Sequence, residues 1–239
     1  MMTKIRVLEL TAGVAIGAPL GGAARFVVEL TRALNQPNED LGIAPFLASI
    51  WRYGTSAESN WQEILRQDSI PSSFAANWNP RQPLLSGVDG FKGLWHSCEF
   101  LPDIIHSHGE FTDIAAVLLK RRLGARYLVR TRHSTIEWPK RPALGRVFGH
   151  WLYPGLFDVE VAVSRSATDA LNRRMLARWR NRQAITIYNA IDFERFGASQ
   201  AHRAMTRQQL HLSEKTRALG TVGGLVAKKG VDTLLHALA

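Results

Sequence analysis

Cysteine is almost missing from this chain of 239 residues: Cys98 stands alone. An intramolecular disulfide framework is therefore excluded, and the composition fits a reducing compartment. A single cysteine is more often a small buried hydrophobe than a nucleophile. Equally absent is any run near the ~18 uninterrupted apolar residues of a membrane-spanning helix. Lys4 and Arg6 precede an apolar stretch in the manner of a signal peptide, but Glu9, Thr11 and Gly13 interrupt it. A β-strand followed by a glycine loop accounts for the same residues, so the start reads as cytoplasmic structure. The sequence also lacks internal repeats, low-complexity tracts, zinc-finger spacing, the P-loop pattern and G-x-G-x-x-G.

Acidic residues are the other shortage. Lys and Arg number 30 against 20 Asp and Glu, for a net charge of +10. The excess is concentrated. Residues 1–119 carry 8 basic and 12 acidic side chains, residues 120–182 carry 15 and 4, and residues 183–239 carry 7 and 4. The middle segment thus makes a basic surface. Anionic lipid, nucleic acid and phosphorylated substrates all fit it, as does a solvated surface with no partner. No RNA-recognition aromatic motif accompanies the charge, so no nucleic-acid partner is expected. With 46% hydrophobic and 21% charged residues, the chain has ordinary globular composition and material for one or two domains.

What is present is an alternation of strand-like runs and helical patterns. Ile5–Leu10 reads as a strand and Gly22–Leu34 as a helix, with apolar residues at Phe26, Val27, Leu30, Ala33 and Leu34. Ile43–Ile50 is the next strand, Ser59–Arg66 a short helix, and Pro71–Pro83 a loop around a short strand. Strands are expected at Asp103–His108, Tyr127–His133, Val159–Ser164, Ala184–Ile191 and Leu219–Leu225. Helices are expected at Thr112–Leu123, Ala143–Leu156, Ser166–Trp179 and Val231–Ala239. This order predicts an α/β fold, a doubly wound parallel sheet with helices on both faces. Ligands in such sheets sit at the carboxyl ends of strands, which directs attention to the loops after Leu10, His108, His133, Ser164 and Ile191.

Several unusual residues fall in those loops. The run from Gly13 to Gly22 holds glycines at 13, 17, 21 and 22 before a helix, where backbone amides can approach a phosphate or simply make a tight turn. His106 and His108 share one side of a strand, so metal binding is conceivable, but Asp103, Glu110 and Asp113 complete no recognised spacing and none is expected. Arg132 and His133 end the next strand, where a histidine can meet a sugar hydroxyl or a phosphate. Tyr188 to Asp192 forms a turn signal. Val222 to Gly230 joins glycines, Lys228 and Lys229 to a helix start, as a phosphate clamp or a basic turn. In the segment Arg173 to Arg182, Leu171, Met175 and Trp179 recur every four residues among arginines. This suits either a membrane-surface helix or a helix packed on the sheet.

The order of these elements is more specific than any one of them. Gly21-Gly-Ala-Ala-Arg25 is followed by Asp103-Ile-Ile-His-Ser-His108, Thr131-Arg-His133 and Val161-Ala-Val-Ser164. Tyr188-Asn-Ala-Ile-Asp192 with Phe196, and Val222-Gly-Gly-Leu-Val-Ala-Lys-Lys-Gly230, complete the series. This succession resembles the family 4 glycosyltransferases, retaining enzymes of the GT-B fold with two Rossmann-like domains and a cleft between them. The resemblance implies an N-terminal Rossmann-like acceptor-side domain over 1–193, an interdomain linker over 194–215, and over 216–239 the first strand, loop and helix of a truncated donor-binding domain.

The resemblance also implies roles. Gly21 and Gly22 bring amides to the donor diphosphate, His133 contacts the transferring sugar, and Lys229 neutralises the leaving diphosphate without obligatory metal or cofactor. His108, Arg132, Ser164 and Asn189 shape the cleft and acceptor side. The implied partners are a nucleotide sugar, a glycan or lipid-linked acceptor of the cell envelope, and an anionic membrane touched peripherally from the cytoplasm. Three positions depart from the family pattern: Gly224 stands where an arginine is usual, Ala24 where a glutamate is, and Ala190 where a glycine is. The acidic donor-gripping motif lies past Ala239, so turnover by this chain alone is not expected. A non-catalytic module that binds an anionic acceptor is the alternative.

Overall fold

The computed structural model describes residues 4–17, 20–37, 42–139, 141–190, 197, 199–223 and 229–238. They divide into two compact units, Met1–Asn189 and Ala190–Ala239. The first is built on seven parallel strands: β1 (Ile5–Thr11), β2 (Ile43–Arg52), β3 (Ser72–Asn77), β4 (Ile104–Ser107), β5 (Tyr127–Arg132), β6 (Val159–Ala162) and β7 (Ile185–Thr186). Their spatial order is β3-β2-β1-β4-β5-β6-β7. The chain winds outward one way from β1 through β3, then returns to β4 and winds the other way. This is the doubly wound arrangement expected from the sequence, and its switch point lies between β1 and β4.

Burial on both faces explains the apolar central strands. Leu8, Leu10, Ala48, Ile50, Ile105 and Leu128 point to one face, where α3 (Pro83–Ser97) and α4 (Glu110–Leu123) cover them. Cys98 packs there too, and burial pushes its thiol pKa up, as suits an inert residue. The opposite face packs Leu47 against Val27 and Val28 of α1 (Gly22–Leu34) and Leu65 of α2 (Ser56–Gln67). Helix α4 ends at Gly124, whose φ of +67° is the left-handed C-cap that glycine favours.

Two expected helices are broken, each for an identifiable reason. The segment 143–156 runs as a short turn α5 (Pro142–Gly145), a π-helical stretch Arg146–Leu152 and a short turn α6 (Tyr153–Leu156). Pro154 has no amide for the carbonyl of His150, and its ring crowds that turn; the wider π-winding relieves both. The segment 166–179 splits into α7 (Arg165–Asn172) and α8 (Met175–Trp179). Between them Arg174 is extended and buried, its guanidinium paired with Glu160 and donating to the carbonyls of Gly149 and Leu171. Helix α3 was hidden by Gly87, Gly90 and Gly93, poor helix formers. A Cβ at Gly93 would stand 2.5 Å from the carbonyl oxygen of Ala75, so glycine is what lets this helix lie against β3.

The second unit contains α9 (Gln200–Gln209) and α10 (Val231–Leu238). The described part of the expected strand at 219–225, residues 219–223, is not in a strand. A strand needs a hydrogen-bonded neighbour, and none pairs with it among the described residues. The end strand likewise shrinks to β7, which makes only two register pairs with β6.

Candidate functional site

Strand alternation decides which side chains meet at the carboxyl end of the sheet. Glu9 stands opposite His106 in the β1–β4 ladder and opposite Leu47 in the β1–β2 ladder. It therefore faces α1, together with His106, His108 and Thr131. Glu9 is fully buried and accepts from His108 Nε2 at 2.7 Å and from His106 Nδ1 at 3.2 Å. His106 Nε2 meets Thr131 Oγ1 at 2.8 Å. On the other side, His108 Nδ1 meets His133 Nε2 at 3.4 Å. Phe26 of α1 closes the group, with its ring centroid 5.1 Å from that of His133 and 5.9 Å from that of His108.

The electrostatics follow from burial. Burial pushes the Glu9 carboxyl up, but the His106 ring and hydrogen bonds from both histidines outweigh it and bring the pKa to about 2. Burial drives His108 down to about 3 and His133 to about 4, with the His106 ring adding to each. Both are neutral at physiological pH. Donor atoms of Glu9, His106 and His108 lie within 4.8 Å of one another, the one such metal-capable grouping among the described residues. Their 2.7 Å and 3.2 Å separations are hydrogen-bond lengths. Ligands on a zinc ion with ~2.0–2.1 Å bonds would stand farther apart.

The glycine loop lies beside this group. A Cβ on Gly13 would meet the Tyr53 ring at 2.5 Å, so that glycine serves packing. Gly21 and Gly22 differ: both are exposed, and a Cβ on either would meet nothing within 4 Å. Nothing among the described residues requires glycine there. The effect is to leave the amides at the start of α1 open to approach, one turn before Phe26.

The remaining expected residues have other employment or lie elsewhere. His108 is buried behind His133 rather than open to the surface. Arg132 points to the opposite face and donates from Nε to the carbonyl of Ser134 at 2.6 Å, and from Nη2 to that of Thr135. It also pairs with Glu137 at 3.3 Å, so it shapes the loop after β5. Ser164 caps α7, accepting from the Ala167 amide at 3.3 Å. Asn189 is exposed at the end of the first unit. Lys229 is exposed in the second unit, its stem 3.6 Å from where a Cβ of Gly223 would stand. Ile191 to Phe196, Gly224 and Lys228 lie outside the described residues.

Two members of the site went unread in the sequence: Glu9 and Phe26. Glu9 carried a usable signal, a carboxylate inside Val7-Leu8-Glu9-Leu10, where a central parallel strand is otherwise apolar. Asp103, Glu110 and Asp113, the acids nearest in sequence, do not join the histidines. They pair instead with Arg6, the Trp138 amide and Arg130.

Comparison with known proteins sets this geometry in a family. Residues 20–195 match the model described as Glycosyltransferase Family 4. The structure resembles HepE from Anabaena in complex with UDP-glucose at a TM-score of 0.70 and 18% identity, covering 98% of this chain and 57% of that one. It resembles the apo form of the lipopolysaccharide outer core galactosyltransferase WaaB at 0.54 and 12%, over 79% and 47%. UDP-GlcNAc 2-epimerase from Neisseria meningitidis, bound to UDP-GlcNAc, follows at 0.50 and 13%, over 90% and 55%. No curated protein sequence matches. This chain spans 57% of the length of HepE, and at these identities the likeness establishes the fold rather than the reaction. The fold is the Rossmann-like α/β architecture of GT-B proteins, and with the family model matched over most of its length the chain belongs to Glycosyltransferase Family 4.

Proposed function

We propose that this chain supplies the acceptor-side wall of a nucleotide-sugar-dependent glycosyltransferase that retains anomeric configuration. One observation carries the reading. An open, Cβ-free helix start at Gly21 and Gly22 and a neutral histidine, His133, flank the switch point of a doubly wound sheet, joined through Phe26. The amides of Gly21 and Gly22 suit a diphosphate, and His133 suits a hydroxyl of the transferring sugar. Lys229 suits the charge that develops on the leaving diphosphate, a purely electrostatic role that calls for no metal. HepE was crystallised with UDP-glucose, which favours a uridine nucleotide. Ser164 and Asn189 border the acceptor side in this reading.

The acceptor we propose is a lipid-linked or other cell-envelope glycan, met at the cytoplasmic face of an anionic membrane. Met175 is 59% exposed and Trp179 80%, with Arg173, Arg178, Arg180 and Arg182 exposed around them. Leu171 of the same stripe is buried against Ala162 of β6, so the stripe packs on the sheet at one end and presents Met175 and Trp179 outward at the other. Helix α8 packs against the π-helical stretch, which adds exposed Trp151 and Leu152. Such a basic, aromatic surface suits an interfacial position. Among the described residues no helix is long and apolar enough to cross a membrane.

Amide and imidazole NMR of the labelled chain titrated with UDP-glucose tests the reading. The expected result is shifts at Gly21, Gly22 and His133. Their absence with UDP-, GDP- and dTDP-sugars at millimolar concentration would sink it and leave a non-catalytic module.

A further inference from the structure

Outside its assigned role, His133 sits at the end of an unbroken hydrogen-bonded chain that the family reading does not use. The chain runs Thr131–His106–Glu9–His108–His133 across three strands. Its centre fixes its direction. An ionised carboxylate only accepts, so both histidines must donate to Glu9. His108 then carries its proton on Nε2, which leaves Nδ1 as a lone pair. The only way to bond that lone pair to His133 is for His133 Nε2 to carry the proton and donate. His133 Nδ1 is left as an acceptor, and it has no hydrogen-bond partner among the described residues. On the other arm, His106 donates from Nδ1, and its Nε2 lies 2.8 Å from the Thr131 hydroxyl.

We propose that Glu9 and His108 are positioning residues that lock His133 in its Nε2–H tautomer, so that Nδ1 presents a hydrogen-bond acceptor to a hydroxyl group of the bound sugar. The proposal rests on the reading of this crevice as a sugar-binding one. The logic is that of a buried carboxylate orienting an imidazole, extended by one further ring. A hydroxyl donates to a fixed lone pair, whereas a phosphate oxygen, which only accepts, is turned away from it. The lock therefore assigns His133 to the sugar and leaves the phosphates to the glycine amides and Lys229.

Long-range proton–nitrogen spectra of the 239-residue chain, labelled at histidine nitrogen and free of ligand, test this directly. At neutral pH the expected pattern is a single Nε2–H tautomer for His108 and His133. The ring protons of His108 and His133 should exchange slowly enough to be seen. In His108→Ala the His133 signal should collapse to a mixture of both tautomers, since an unrestrained imidazole populates both. Glu9→Ala should do the same through His108. A tautomer mixture at His133 in the parent chain, or an Nδ1–H form at His108, overturns the proposal even if neither variant folds. So does a His133 tautomer ratio that both folded variants leave unchanged. Failure here with ligand shifts intact removes the lock and spares the sugar site; a single tautomer without any ligand shift removes the sugar site and spares the lock.

Discussion

Two buried polar clusters meet at β5, one on each face of the sheet, and they are built on opposite principles. On the face toward α1, Glu9 is the one carboxylate, held by two histidines. On the face toward α4, Arg130 is buried among Asp113 at 3.0 Å, Glu137 at 2.5 Å and Glu160 at 3.3 Å. Arg174 pairs with Glu160 and Arg132 with Glu137, so three carboxylates face three guanidiniums. Arg130 also lies 4.3 Å from the centre of the Tyr153 ring. The charged cluster pairs its charges internally, leaves Arg130 Nε without a hydrogen-bond partner among the described residues, and fixes the loop after β5. The histidine cluster ends on an open acceptor. Alternation along β5 puts Thr131 in one and Arg130 in the other, so adjacent residues serve site and scaffold.

The largest effect should come from breaking the scaffold side. Arg130→Leu leaves three buried carboxylates without their shared cation and should cost about 3–5 kcal/mol. Glu9→Gln keeps a neutral hydrogen-bonding group in place and should cost about 1–2 kcal/mol. Denaturant melts of both would check the contrast, and equal losses would erase the distinction between the two faces. Gly149→Ala comes next. Its Cβ would run into the carboxylate of Glu137, whose backbone carbonyl lies against Gly145. Overpacking there should cost about 1–3 kcal/mol by the same melts and loosen the loop that Arg130 and Arg132 anchor.

This contrast also shows what a sequence can display. The doubly wound order was legible because each central strand is apolar and the crossovers, α3 apart, are helical in period. The ends of strands β4 and β5 drew notice because histidines are rare there. What stayed hidden were pairings made across the sheet: Glu9 with His106, separated by 97 residues, and Arg130 with Glu160. Helical period is blind to a buried arginine such as Arg174, which leaves the helix to reach its partner. Arg132 and Ser164 drew notice by position, and the structure adds that Arg132 anchors the loop after β5 and the Ser164 hydroxyl caps α7. Position at a strand end names a neighbourhood, and alternation decides which face a side chain joins.

Acid should separate the two faces by sign. His108 and His133 are held near about 3 and about 4, below their ordinary values, so the unfolded chain binds protons first as pH falls through about 6.5. Their neutral burial therefore stabilises at neutral pH and is lost on acidification toward 4. Asp113 has the reverse sign. Burial lifts it to about 6 despite Arg130, so its folded form takes up a proton first and opposes the loss. Two histidines against one aspartate leave about one proton, or roughly 1.4 kcal/mol per pH unit between 6 and 4. Stability measured against pH should fall on that slope, and His133→Ala should flatten it. A slope unchanged in that variant would detach His133 from the buried cluster.

The smallest effect on stability is expected where the scaffold face meets solvent. Trp179 is 80% exposed and Met175 59%, so Trp179→Ala with Met175→Ala removes little buried area and should change unfolding free energy by about 0.5 kcal/mol or less. Neighbouring Arg174 is buried and pairs with Glu160, so the residue that opens this short helix holds the fold and these two helix residues do not. Sedimentation with anionic vesicles should drop severalfold in the double variant while sedimentation with neutral vesicles stays low throughout. Equal binding of the parent chain to both kinds of vesicle would leave the basic aromatic surface without a membrane role. It would do so without touching the argument for the histidines, because Trp179 and Met175 belong to α8, beyond Arg174 and Glu160 of the charged cluster, and Glu9 lies on the opposite face of the sheet.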